Sequence, residues 1–244
     1  MAKPQKKDRR QVAEELRKQQ RRQERRRTFT IIGASSLVGL LIVGSAAYRP
    51  VKDWWDNREF AEIELASLGA PASTCGDIIT RPGEGQNEHV PPDTDLSYDD
   101  APPATGRHWQ NWDGMERKFY TPEDRPELGL LVHNLEHGYT FLWYDETIAE
   151  DEDKLAEVRR IADKFEGTDN MRMKFKAVPW TSEDGDPFPD GNHVAFTHWS
   201  VGGADAEEPQ QTGVWQYCDA PSGEALEQFM EEYPYLDSPE PMAG

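Results

Sequence analysis

The chain has 244 residues, room for one or two domains, and its formal charge of −19 hides two regions of opposite sign. Residues 1–28 carry 12 Lys and Arg against 4 Asp and Glu, whereas 15 basic face 42 acidic residues beyond position 28. That acidic excess argues against nucleic acid and anionic lipid as partners of the later region. The absence of a C-x-x-C pair, a G-x-S-x-G elbow, a Walker loop and a dinucleotide fingerprint leaves the corresponding chemistries without support.

Residues 29–48 contain no charged side chain over 20 positions, the length a helix needs to cross a bilayer. The basic block before them, rich in Arg, Gln and Glu over residues 9–27, reads as a solvated helix whose charge sets topology. It places the tail in the cytoplasm and the acidic remainder outside the cell membrane. A cleaved signal peptide is the rival, because Ser45-Ala46-Ala47 has small residues at suitable positions. Its n-region and h-region would both be longer than is usual, so an uncleaved single-pass anchor is expected. Trp54 and Trp55 suit the membrane interface just beyond.

An amphipathic helix is expected over residues 53–68, stopped by Gly69-Ala70-Pro71, and then an extended loop over residues 75–105 full of Gly, Pro, Asp and Glu. The expected divisions are a basic cytoplasmic tail (1–28), a transmembrane helix (29–48), a juxtamembrane helix and linker (49–74) and an exported domain (75–240). In an exported compartment the two cysteines, Cys75 and Cys218, are expected to pair.

Within the compact part, the apolar runs at residues 128–132 and 139–144 read as strands flanking a polar knot, His133-Asn134-Leu135-Glu136-His137, closed by Gly138. Helical spacing follows over 147–165, alternation over 171–178 with Arg172, Lys174 and Lys176 on the solvent side, a strand over 193–200 and a helix over 220–233 capped by Ser222. The expected fold is therefore α+β: a small, mostly antiparallel sheet with helices packed on it, preceded by a single transmembrane helix.

Three short segments, His89-Val90-Pro91, Pro102-Pro103-Ala104-Thr105-Gly106-Arg107-His108 and Leu131-Val132-His133-Asn134-Leu135-Glu136-His137-Gly138, together resemble the bacterial family named domain of unknown function 3105. Thr105 stands where that family usually has Ser, which keeps the hydroxyl. The resemblance covers about residues 75–240. It implies a membrane-anchored, exported α+β domain without a settled activity.

His133 and His137 are four apart, so they are neighbours on a helix but roughly 13 Å apart on a strand. One cation can bridge them only if residues 134–136 turn. His108 and, less directly, His89 are then the further ligands, and a set rich in imidazole suits copper or zinc. Glu136, about 100° around a turn from His137, is expected to orient a ring from behind. The alternative is a structural corner, with the same histidines bonded to carboxylates and backbone carbonyls in an accessory module of a membrane complex. A metallohydrolase of H-x-x-E-H type is a minor reading, because that motif needs a long helix. His193 and His198 differ by five and are expected to be structural.

Overall fold

The computed structural model describes residues 5–207 and 210–244, so the first four residues of the basic tail and residues 208–209 lie outside the described residues. The chain forms two compact units, dividing between Trp55 and Asp56.

The described residues of the first unit are all helical and belong to α1 (Gln5–Ala61). Phe29, Ile32, Leu37, Leu40, Leu41 and Val43 are all exposed on it, and it is long and apolar enough to cross a membrane. The expected amphipathic helix over 53–68 is the end of α1 followed by a 3₁₀ turn at Leu65–Ser67. Ile63 and Leu65 there join the core of the second unit.

That second unit is built on a five-stranded sheet with the order β1 (Ile79–Pro82), β7 (Thr212–Cys218), β6 (Val194–Ser200), β4 (Thr140–Tyr144) and β5 (Phe175–Pro179). All neighbours are antiparallel except β4 and β5, so the sheet is mixed but mostly antiparallel. Side chains alternate across β6. Phe196 packs on Phe229 of α5 (Gly223–Glu232), and Trp199 faces the other way, against the His108 ring. The helix α5 begins where the sequence indicated, with the Ser222 hydroxyl accepting from the Ala225 N–H. The disulfide between Cys75 and Cys218 is present and ties the entry loop to the end of β7.

Three local expectations change. The apolar run at 128–132 is the start of a helix, α2 (Leu128–Glu136), rather than a strand. Seven of its nine residues are buried, and a helix buried nearly all round loses the period that would reveal it. Gly129 is there for packing: a Cβ would lie 2.7 Å from the Trp109 ring. The helical segment at 147–165 splits into α3 (Glu146–Ala149) and α4 (Glu152–Asp163), because Asp145 and Asp151 each cap a helix start.

The third change concerns Lys174 and Lys176, which are buried rather than solvent-facing. Their side of β5 is covered by the segment around Asp113–Arg117 and by the C-terminal segment. The Lys176 Nζ pairs with the Asp113 carboxylate and donates to the carbonyls of Gly114 and Arg117. Lys174 donates to the carbonyls of His137, Pro241 and Ala243. Both ammonium groups meet the rule that a buried charge needs partners on several sides.

Candidate metal centre

Two short elements and one helix assemble the site. β2 (His89–Val90) and β3 (His108–Trp109) form a parallel ladder in which His89 pairs with His108. The ladder closes because the backbone of Gly85, at φ 85°, lies against Gly106, where a Cβ would come within 2.2 Å of the Gly106 carbonyl carbon.

The helix α2 supplies the rest and stops sharply. Gly138 adopts φ 86°, its N–H bonds the Leu135 carbonyl, and the Tyr139 N–H bonds that of Asn134, the double bond pattern of a Schellman cap. Residues 134–136 therefore turn, as a shared cation requires, and His133, Glu136 and His137 fall on one side of the helix. Glu136 is about 60° from His133 one way around the axis and His137 about 40° the other. The expectation that Glu136 stands behind the rings compared it with His137 alone; with His133 as reference it belongs in front.

His89, His108, His133 and Glu136 each turn a ligand atom inward, and these atoms all lie within 4.8 Å of one another. The Glu136 Oε2 is 3.0 Å from the His108 Nε2 and 3.6 Å from the His89 Nε2. Its other oxygen accepts from the Asn87 N–H at 2.7 Å. His137 sits beside this set, its Nε2 3.0 Å from the His133 Nε2 and 3.7 Å from Glu240 Oε2. The other two histidines stand apart: His193 bonds Asp145, and His198 donates to the Asp237 carbonyl.

Backbone carbonyls fix which ring nitrogen is free. A carbonyl only accepts, so the 2.8 Å contact of His108 Nδ1 with the Gly106 oxygen and the 2.6 Å contact of His133 Nδ1 with that of Trp109 make both Nδ1 atoms donors. Without a second proton such a ring points a bare Nε2 lone pair into the cluster. At His108 that lone pair faces a carboxylate oxygen, an arrangement that needs a proton or a cation between the two.

The electrostatics favour a cation. Burial presses the His133 ring down to about 4, its carbonyl bond offsetting only part of this, and burial together with His133 and Lys174 presses His137 down to about 3. Both rings are thus neutral, in the ligating form, at neutral pH. Burial works to raise the Glu136 carboxyl, but the His108 and Asn87 bonds leave it below its ordinary value, hence ionised. Three nitrogens and one carboxylate oxygen make a donor set that zinc and copper accept.

The rim was less legible. Trp112, 45% exposed, lies 5.3 Å from the His133 ring and 4.9 Å from that of His137. It is held there by Asn134, whose amide bonds both the N–H and the carbonyl of Asp113. Glu240 arrives from more than a hundred residues away, with its N–H on the Glu136 carbonyl. No local pattern announces either residue. The His89 side chain, 28% exposed, leaves the cluster open to solvent on one side.

Fold and site together define an α+β domain with a histidine–carboxylate cluster set between a buried helix end and a two-residue ladder. The chain belongs to the family described as "Protein of unknown function (DUF3105)", which matches residues 89–244, from the first histidine of the cluster to beyond Glu240. No curated protein and no solved structure matches it.

Proposed function

We propose that this protein is a membrane-tethered, extracytoplasmic domain that binds or handles copper or zinc. The cation lies among His89, His108, His133 and Glu136, with His137 adjacent. The observation that carries the reading is the convergence of those four ligand atoms within 4.8 Å, with two rings already locked in the tautomer that directs Nε2 inward.

The topology follows from the charge-free residues 29–48 behind 12 basic side chains, with the tail cytoplasmic and residues 49–244 exported. The disulfide supports an oxidising compartment. The partners under this reading are the lipid bilayer and the metal.

A hydrolytic role gains a helix for its H-x-x-E-H motif but lacks a free base, because both oxygens of Glu136 are engaged, one by Asn87 and one by the histidines. A second reading has its own observation. The Gly106 and Trp109 carbonyls tie His108 and His133 to the β3 region, so the rings would brace that region against α2 even without metal. In that case the domain is an accessory module of a membrane complex.

Metal analysis of the full-length protein purified from membranes in chelator-free buffer separates the two. At least one equivalent of copper or zinc, lost in His108→Ala and His133→Ala, supports the metal reading. Metal-free protein that copurifies with a membrane assembly, whether or not those histidines are present, supports the accessory module.

A further inference from the structure

We infer that the cluster holds two cations rather than one, the second between His133, His137 and Glu240. This rests on the metal reading proposed above and extends it to residues outside the four-ligand set.

Six ligating side chains are contiguous here, and they divide into two like halves. In the inner half, Glu136 Oε2 faces the Nε2 atoms of His108 at 3.0 Å and His89 at 3.6 Å. In the outer half, the His137 Nε2 faces His133 Nε2 at 3.0 Å and Glu240 Oε2 at 3.7 Å. Each half is two imidazoles and one carboxylate.

Each half also sets a ring whose Nδ1–H is committed to a backbone carbonyl, His108 in one and His133 in the other, with its Nε2 against a further acceptor or imidazole. The His133 Nε2 is a bare lone pair because its Nδ1–H is committed to the Trp109 carbonyl. The atoms opposite it are the His137 Nε2 and, beyond, a carboxylate. One proton on the His137 Nε2 would also relieve this, and the His137 Nδ1 is buried without a hydrogen-bond partner in either case. A cation beside the His137 Nε2 would have the His133 Nε2 at 3.0 Å and the Glu240 Oε2 at 3.7 Å from that atom as its other donors, two nitrogens and a carboxylate.

His133 is the hinge between the halves. Its ring centroid lies 4.8 Å from those of both His89 and His108 and 4.4 Å from that of His137. With one cation bound it completes the inner set, and with two it serves the outer one. Three protein ligands per cation leave coordination positions open, as in sites that exchange ligands rather than sites that only brace a fold. The Glu240 side chain is 37% exposed, so the outer half is reached from solvent on the Glu240 side as the inner half is on the His89 side, where that side chain is 28% exposed.

The test is copper(II) titration of the full-length protein in detergent, followed by electron paramagnetic resonance, with wild type and Glu240→Gln compared. The near-isosteric substitution at this half-buried position should keep the fold, which thermal unfolding checks. The expected result is two equivalents in wild type, the second of which broadens or weakens the signal of the first through coupling. In Glu240→Gln one equivalent gives an undisturbed spectrum. A single equivalent in wild type overturns the second position while leaving the inner site standing, and so does a second equivalent that adds an isolated signal from the acidic surface. Retention of two coupled ions in Glu240→Gln also overturns it. No binding at all in wild type removes the metal reading itself.

Discussion

His89 and His108 stand directly opposite one another on the two-residue parallel ladder, their rings edge to face with centroids 4.7 Å apart. Parallel partners in register project side chains to the same face, so this ladder delivers two imidazoles to one point from segments nearly twenty residues apart. α2 delivers the remaining ligands from the other side.

The disulfide is expected to contribute strongly to stability, because it closes a loop of 143 residues. The loss of chain entropy in the unfolded state corresponds to about 5 kcal/mol, and measured bridges give about 2–5 kcal/mol. Reduction, or Cys75→Ser with Cys218→Ser, should therefore lower the midpoint of thermal unfolding by roughly 4–20 °C at about 2–4 °C per kcal/mol. Calorimetry with and without reductant measures it.

Acid should destabilise the domain before ordinary carboxylates titrate. In the unfolded chain His133 and His137 take up protons near pH 6.5, whereas in the fold they resist until about 4 and about 3. The unfolded state then binds more protons throughout that window, so stability is full above pH 6.5 and is lost as pH falls toward 4. Denaturant unfolding at pH 7.5, 6, 5 and 4 should show the loss, and His137→Phe should flatten part of the slope.

Gly138→Ala should cost about 2 kcal/mol or more. The position needs φ 86°, and an added Cβ would come within 2.4 Å of the Tyr235 carbonyl oxygen. Since the cap fixes the end of α2, the variant should also weaken metal binding by disturbing His137. Gly129→Ala makes a useful contrast, because there the obstacle is the Trp109 side chain rather than backbone.

Topology is open to direct measurement. With the tail cytoplasmic, protease added outside intact cells should cleave the exported domain and spare an epitope tag at residue 1. The mature protein should retain its first 48 residues. An N-terminus near Tyr48 would show a cleaved signal peptide instead.

Much of the fold could be read from the sequence where one residue type has one physical use. Ser222 capped a helix, and two cysteines left one pairing. The reading failed where tertiary burial erased the pattern. α2 is too buried to show a helical period, and Lys174 and Lys176 look like a solvent face until segments distant in sequence cover them. At the site, His89, His108, His133 and His137 were legible from spacing and motif. Glu136 was placed behind the rings because its angle was measured from His137 rather than His133. Glu240 and Trp112 come from the C-terminal segment and a loop without local periodicity, and only the folded chain brings them to the histidines.

The central claim is that a cation binds among the histidines rather than on the acidic surface. X-ray absorption of full-length protein loaded with one equivalent of zinc tests it most directly. The expected spectrum has nitrogen and oxygen neighbours at about 2.0–2.1 Å, with the outer-shell scattering of about three imidazoles, reduced in His108→Ala. An all-oxygen shell without imidazole scattering, or zinc that washes away in buffer, would contradict it and leave the rings as braces between β3 and α2.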